Sequence, residues 1–197
     1  MKFRNSCFAV LVAGIFAATA AGAEPIKVPF AKQVVMIDGK ISPTEWQDAA
    51  TTYAGDFARI YIKQTKEHVW LTVEFLRSKT GTLDLYISPG RGRPVNLHAS
   101  AKLGQRILQN GAWPEEWTWW NNDGWVANVS RVDSWDKRSF MPETVREFQI
   151  ARSWFPNGEF RIMVEMMTPA EPNWQTTAFP ADAVNTDPKR WAAFRLD

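Results

Sequence analysis

Residues 34–49 read VVMIDGKISPTEWQDA, and they set an order of events for the chain. Val34 to Ile37 is apolar and largely β-branched, which reads as a short strand, and Asp38-Gly39 is a turn dipeptide that ends it. Ser42 then offers a hydroxyl as an N-cap, Pro43 fills the first helical position, and Glu45 follows Ser42 by three residues. That spacing is a capping box, so a short capped helix is expected here. Trp46, on a helix of about one and a half turns, is expected to plug the end of a core.

Beyond this opening the apolar residues alternate. Phe57 to Gln64 (FARIYIKQ) reads as a strand, and a polar turn follows at Thr65, Lys66 and Glu67. Val69, Leu71, Val73 and Phe75 then alternate with Trp70, Thr72 and Glu74, and Leu83, Leu85 and Ile87 share one face of a third strand. Short strands with turns between them imply an all-β sandwich. The whole pattern resembles the family 9 carbohydrate-binding modules and their DOMON-like relatives. That family opens I-D-G-x-x-x-x-x-E-W-x-x-A, met here by Ile37, Asp38, Gly39, Glu45, Trp46 and Ala49. Its two central strands are similar to VWLTVEF (69–75) and LDLYIS (83–88), and its ending D-P-x-x-W to Asp187, Pro188 and Trp191, with a closing strand through Phe194 and Leu196. The expected fold is therefore all-β: a single antiparallel β-sandwich over residues 24–197, with a short capped N-terminal helix.

Between and after these landmarks the resemblance thins. Val95 to Ser100 and Gln105 to Leu108 read as two further strands after a loop holding Arg91 and Arg93. Alternation puts Asn96, His98 and Ser100 on one face. A Ser–His pair there would need an orienting carboxylate and an oxyanion hole, and no recognisable spacing supplies them. Strands are expected at 144–152 and 160–167, followed by a Pro-rich irregular segment at 168–190, with Trp174 and Trp191 plugging the sandwich edge.

The segment Trp113–Trp125, WPEEWTWWNNDGW, holds five of the chain's 11 tryptophans. Read as a hairpin turning at Asn122-Asp123-Gly124, it sends some rings to the core and leaves others beside Asn121 and Asp123. Indoles stack on the C–H faces of sugars while amide and carboxylate groups meet hydroxyls, so Trp117, Trp119, Trp120, Trp125, Asn121 and Asp123 are the candidate carbohydrate-binding residues. Arg91 or Arg93 is a candidate for further hydroxyl contacts. Glu115 and Glu116 are adjacent, so on a strand they point apart and do not form a glycosidase pair.

Residues 1–23 read as a signal peptide: Lys2 and Arg4, an apolar run from Cys7 to Ala21, then Ala21-Gly22-Ala23 as the cleavage site. The expected location is periplasmic or secreted after cleavage near Ala23. Cleavage removes Lys2 and Arg4, leaving 21 basic residues against 21 acidic ones, and removes the one cysteine, Cys7. A neutral chain lacks the clustered positive charge that nucleic acid needs, and without cysteine there is no disulfide framework, thiolate metal site or thiol nucleophile. No second apolar run suggests a membrane span.

The resemblance implies a non-catalytic domain that binds a poly- or oligosaccharide, expected as a monomer and without a cofactor. Some members of the family bind calcium as a structural ion. Other relatives of this sandwich hold b-type haem for electron transfer; here His98 with Met141, Met163 or Met167 is the alternative ligand set. A protein-interaction patch built on the Trp stretch is the third reading.

Overall fold

Apolar residues recur at every second position from Leu83 to Ile87 and from Phe160 to Met166, and these two runs lie side by side as antiparallel neighbours. In this computed structural model the described residues are 24–33, 35–37, 39–42, 44–77, 81–100, 103–119, 145–170 and 172–197. They form twelve strands: β1 (Ile26–Val28), β2 (Ala50–Ala54), β3 (Ala58–Gln64), β4 (His68–Phe75), β5 (Thr82–Ser88), β6 (Val95–Ala99), β7 (Leu103–Ile107), β8 (Thr118–Trp119), β9 (Val145–Ala151), β10 (Glu159–Ala170), β11 (Asn173–Phe179) and β12 (Ala192–Leu196). The larger sheet has eight strands in the order β1-β12-β10-β5-β6-β7-β8, with β11 paired to the second half of β10. The smaller sheet runs β2-β3-β4-β9.

The two sheets face each other across one core. Leu83, Leu85 and Ile87 of β5 meet Ile60, Ile62, Leu71, Val73, Phe148 and Ile150 of the smaller sheet there, all of them buried. Burying such a set is the main stabilising term, at roughly 1.5–3 kcal/mol for each large apolar side chain. Among the described strands all pairings are antiparallel except β1 with β12, which run parallel and bring the two ends of the described chain together.

The outer faces of the central strands are buried too, and they carry polar groups. Lys63 is fully buried on β3; its ammonium bonds the Glu45 carbonyl and the Asp48 carboxylate (2.9 Å), and lies 5.2 Å from the Trp46 ring centroid. Burial alone would push the Asp48 carboxyl up, but the Lys63 bond and charge and the Lys32 and Gln33 N–H groups outweigh it and hold it below its usual value. Fully buried Glu147 accepts the Gly39 N–H at 2.7 Å.

This cluster corrects the reading of residues 34–49. Trp46 is buried as expected, but residues 44–49 form turns and bends, with Glu45 N–H bonded to Ser42 C=O (3.2 Å) and Ala49 N–H to Trp46 C=O (3.1 Å), and not a helix. The reason is competition: the Glu45 carbonyl goes to Lys63, and its carboxylate takes the Met36 N–H at 2.6 Å instead of closing a capping box. Residues 35–37 are likewise not a strand, and Met36 is exposed. Val34, Asp38 and Pro43 lie outside the described residues, as does the segment 1–23 expected to be a signal peptide.

Candidate functional site

The register of the larger sheet brings one row of outward-facing residues together. Glu165 of β10 pairs with Asp84 of β5, Asp84 with His98 of β6, His98 with Gly104 of β7, and Gly104 with Trp119 of β8. Their neighbours Val164, Leu85 and Leu97 face the core, so this row faces away from it.

At its centre is a hydrogen-bond relay. Asp84 Oδ1 lies 2.8 Å from His98 Nδ1, and His98 Nε2 lies 2.8 Å from Ser100 Oγ. Cross-strand pairing thus supplies the orienting carboxylate that sequence spacing did not reveal. With both ring nitrogens engaged, an iron-ligating role for His98 would require giving up one of these bonds. Met163 is buried beside Tyr86, two rungs along from the Asp84–His98 pair, while Met167 sits opposite Thr82; Met141 lies outside the described residues.

Two indoles roof the His98 ring. Trp117 and Trp119 stack on each other with centroids 5.4 Å apart and 25° between planes, and both meet His98 edge-on at 5.3 and 5.9 Å. They can lie this close because Gly104 beneath them has no side chain: a Cβ there would come within 2.7 Å of Trp119 and 3.2 Å of Trp117. Trp119 stays 48% exposed. The Arg106 guanidinium lies 4.3 Å from the Trp117 centroid and 5.5 Å from that of Trp113, and donates to Asn96 Oδ1 at 2.9 Å. It is thereby committed to holding the rings in place.

The other half of this face is covered. The Tyr86 ring lies 5.3 Å from Trp113 and 5.9 Å from Trp191, whose N–H groups bond the carbonyls of Asn185 (3.2 Å) and Val184 (2.8 Å). Segment 180–191 therefore lies as a bank along the row. Tyr86 donates to Glu165 Oε2 at 2.9 Å. Burial pushes its hydroxyl far up from the usual value, and the charges of Asp84 and Glu165 push the same way.

Of the residues singled out from sequence, Trp117 and Trp119 come together at this site. Trp120, Asn121, Asp123 and Trp125, with the expected hairpin turn and return strand, lie outside the described residues. Arg91 and Arg93 sit in the β5–β6 loop beyond the Ile87–Val95 rung, away from the Asp84–His98 pair. Trp191 is fully buried as a plug, but Trp174 is 61% exposed: its strand partner is Pro169, near the end of the β10–β11 pairing, on the face turned away from the core. Sequence reading passed over Asp84, Gly104, Arg106 and Glu165. A signal for Asp84 was present, because pairing Ile87 with Val95 across the Pro89–Pro94 loop places Asp84 opposite His98.

Compared with solved structures, the chain is similar to a family 9 carbohydrate-binding module from Caldicellulosiruptor kristjanssonii, determined in complex with cellotriose. The match covers 88% of this chain and 94% of that one, with a TM-score of 0.53 and 12% identity. The fold is that of a family 9 carbohydrate-binding module. No family model and no curated protein matches the sequence. At this identity the CBM9-like likeness concerns architecture, and the chemistry has to be argued from the chain's own side chains.

Proposed function

We propose that this protein is an exported, non-catalytic carbohydrate-binding protein whose site is the outer face of the larger sheet. The observation that carries the reading is the half-exposed Trp119, stacked on Trp117 and set over Gly104 beside the Asp84–His98–Ser100 relay. The arrangement supplies a flat apolar surface next to fixed polar groups, which suits a sugar's C–H face and its hydroxyls. The same fold carries cellotriose in the structural neighbour, which supports an oligo- or polysaccharide as ligand. The protein acts as a periplasmic or secreted monomer after cleavage near Ala23, and it needs neither haem nor a catalytic metal. Trp120, Trp125, Asn121 and Asp123 belong to the same site in this reading.

The test is binding to immobilised and soluble glycans by the wild type and by Trp119→Ala combined with Trp120→Ala. The double variant is expected to lose binding while keeping its melting temperature. Unchanged binding to a glycan that the wild type recognises would refute the site, and an intense Soret band in the purified protein would favour the haem reading instead.

A further inference from the structure

Trp174 shares a face with the site although it belongs to the opposite edge of the sheet. On β11, Phe179, Thr177 and Gln175 pair with Val164, Met166 and Thr168, and Val164 and Met166 belong to the core. The alternate set, Ala178, Thr176 and Trp174, pairs with Glu165, Met167 and Pro169 and so faces the other way, the same way as Asp84 and His98. The two large exposed indoles of the larger sheet, Trp119 and Trp174, therefore stand on one face, near its two lateral edges.

Between them lie β7, β6, β5 and β10, so the two residues are rooted five strand spacings apart across the sheet, about 24 Å at about 4.8 Å per spacing, and Trp174 stands a further four residues along β11 from Ala178 on the Trp119 row, about 13 Å along the strand. No single sugar ring bridges that distance, so the two indoles cannot clamp one ring between them. The floor from one to the other is mostly polar: Glu165, Asp84 and His98 form one row, and Thr82 and Thr176 flank Met167 on the next. Segment 180–191 with Trp113 forms a bank along one side.

We infer that this face is a trench for the interior of an extended, neutral polysaccharide chain lying across the strands, with Trp119 and Trp174 stacking on separate sugar units. The inference rests on the carbohydrate-binding reading above and adds the ligand's length and charge class. The orientation follows from the indoles, which occupy opposite edges of the sheet and not opposite ends of one strand. Neutrality follows from the floor. The carboxyl groups of Asp84 and Glu165 lie along it and repel an anionic chain, while the guanidinium that would draw one, Arg106, is held by Asn96 and between Trp113 and Trp117.

The experiment is calorimetric titration of the full chain with cello-, xylo- and manno-oligosaccharides of increasing length, from disaccharide to hexasaccharide. Affinity of the wild type for its preferred series should rise with length through the hexasaccharide. Trp174→Ala should lower hexasaccharide affinity by about tenfold, the worth of one aromatic contact, and leave the disaccharide unaffected. Trp174→Phe should restore most of the loss, and Trp119→Ala should weaken both ligands. Because Trp174 is exposed, its variants should melt with the wild type. A disaccharide bound as tightly as the hexasaccharide, or a Trp174→Ala protein that binds the hexasaccharide like the wild type, would overturn the trench and leave the carbohydrate reading standing. Failure of the wild type to bind any of the three series or their parent polysaccharides would overturn both.

Discussion

Replacing Gly104 with alanine perturbs the site without touching a polar group. A methyl group there would sit 2.7 and 2.8 Å from two carbons of the Trp119 ring and 3.2 Å from one of Trp117. Comfortable carbon contacts are about 3.5–4.0 Å, so Trp119 must slide outward by roughly 1 Å and Trp117 by about half of that. The backbone does not resist, because Gly104 is not among the glycines with positive φ, and alanine within a strand gains about 0.5–1 kcal/mol over glycine. The displaced rings lose edge contacts with His98 worth roughly 0.5–1.5 kcal/mol. These terms nearly cancel, so the melting temperature should stay within a few degrees of the wild type. Glycan affinity has no such offset and should fall about fivefold, the equivalent of about 1 kcal/mol. Titration calorimetry, thermal denaturation and near-ultraviolet circular dichroism together read the outcome. An unchanged near-ultraviolet spectrum with unchanged affinity would show that the rings do not rest on Gly104, and the reasoning would be wrong.

Three further outcomes are expected. Lys63→Met leaves the half-buried Asp48 carboxylate and the Glu45 carbonyl without their cation, and should cost about 3 kcal/mol, seen as a melting temperature lower by about 10 °C; a shift under 2 °C would contradict the role given to that ammonium. Stability should decline at both pH extremes. The depressed Asp48 carboxyl contributes above the ordinary carboxylate range, and that contribution is lost as pH falls through its folded value. The raised Tyr86 hydroxyl contributes fully below about pH 10 and is lost as pH rises beyond it, so Tyr86→Phe should flatten the alkaline limb of a urea-midpoint profile. Ser100→Ala should leave any ester hydrolysis by the purified protein at the wild-type rate, since the relay is assigned to holding His98; a Ser100-dependent turnover of a p-nitrophenyl ester would refute that assignment.

The sequence disclosed the fold where burial follows a simple period. Val69 to Phe75 and Leu83 to Ile87 alternate cleanly because one face of each strand meets a single core, and both strands form within a residue or so of the expected bounds. It misled where a long-range partner decides the local structure. Ser42 to Glu45 carries a good helix start, yet Lys63 and the Met36 N–H claim the Glu45 groups a helix would use. The strand Asn173–Phe179 was hidden by its polar composition and by flanking Pro172 and Pro180, and its order comes from pairing with β10. The site was half legible. Local motif identified Trp117 and Trp119, whereas Asp84, Glu165 and Gly104 join them through cross-strand register, which single-strand periodicity does not encode.

The central claim is that a carbohydrate lies on the outer face of the larger sheet against Trp119. The indole N–H region of a ¹⁵N-correlated NMR spectrum tests it directly, because each of the 11 tryptophans contributes one signal. On titration with an oligosaccharide the protein binds, the Trp119 and Trp117 signals should move in a saturable way, and the signal of Trp46, buried on the other sheet, should stay still. Saturable shifts confined to Trp46, Trp70 or Trp154, with Trp117 and Trp119 unmoved, would contradict the account.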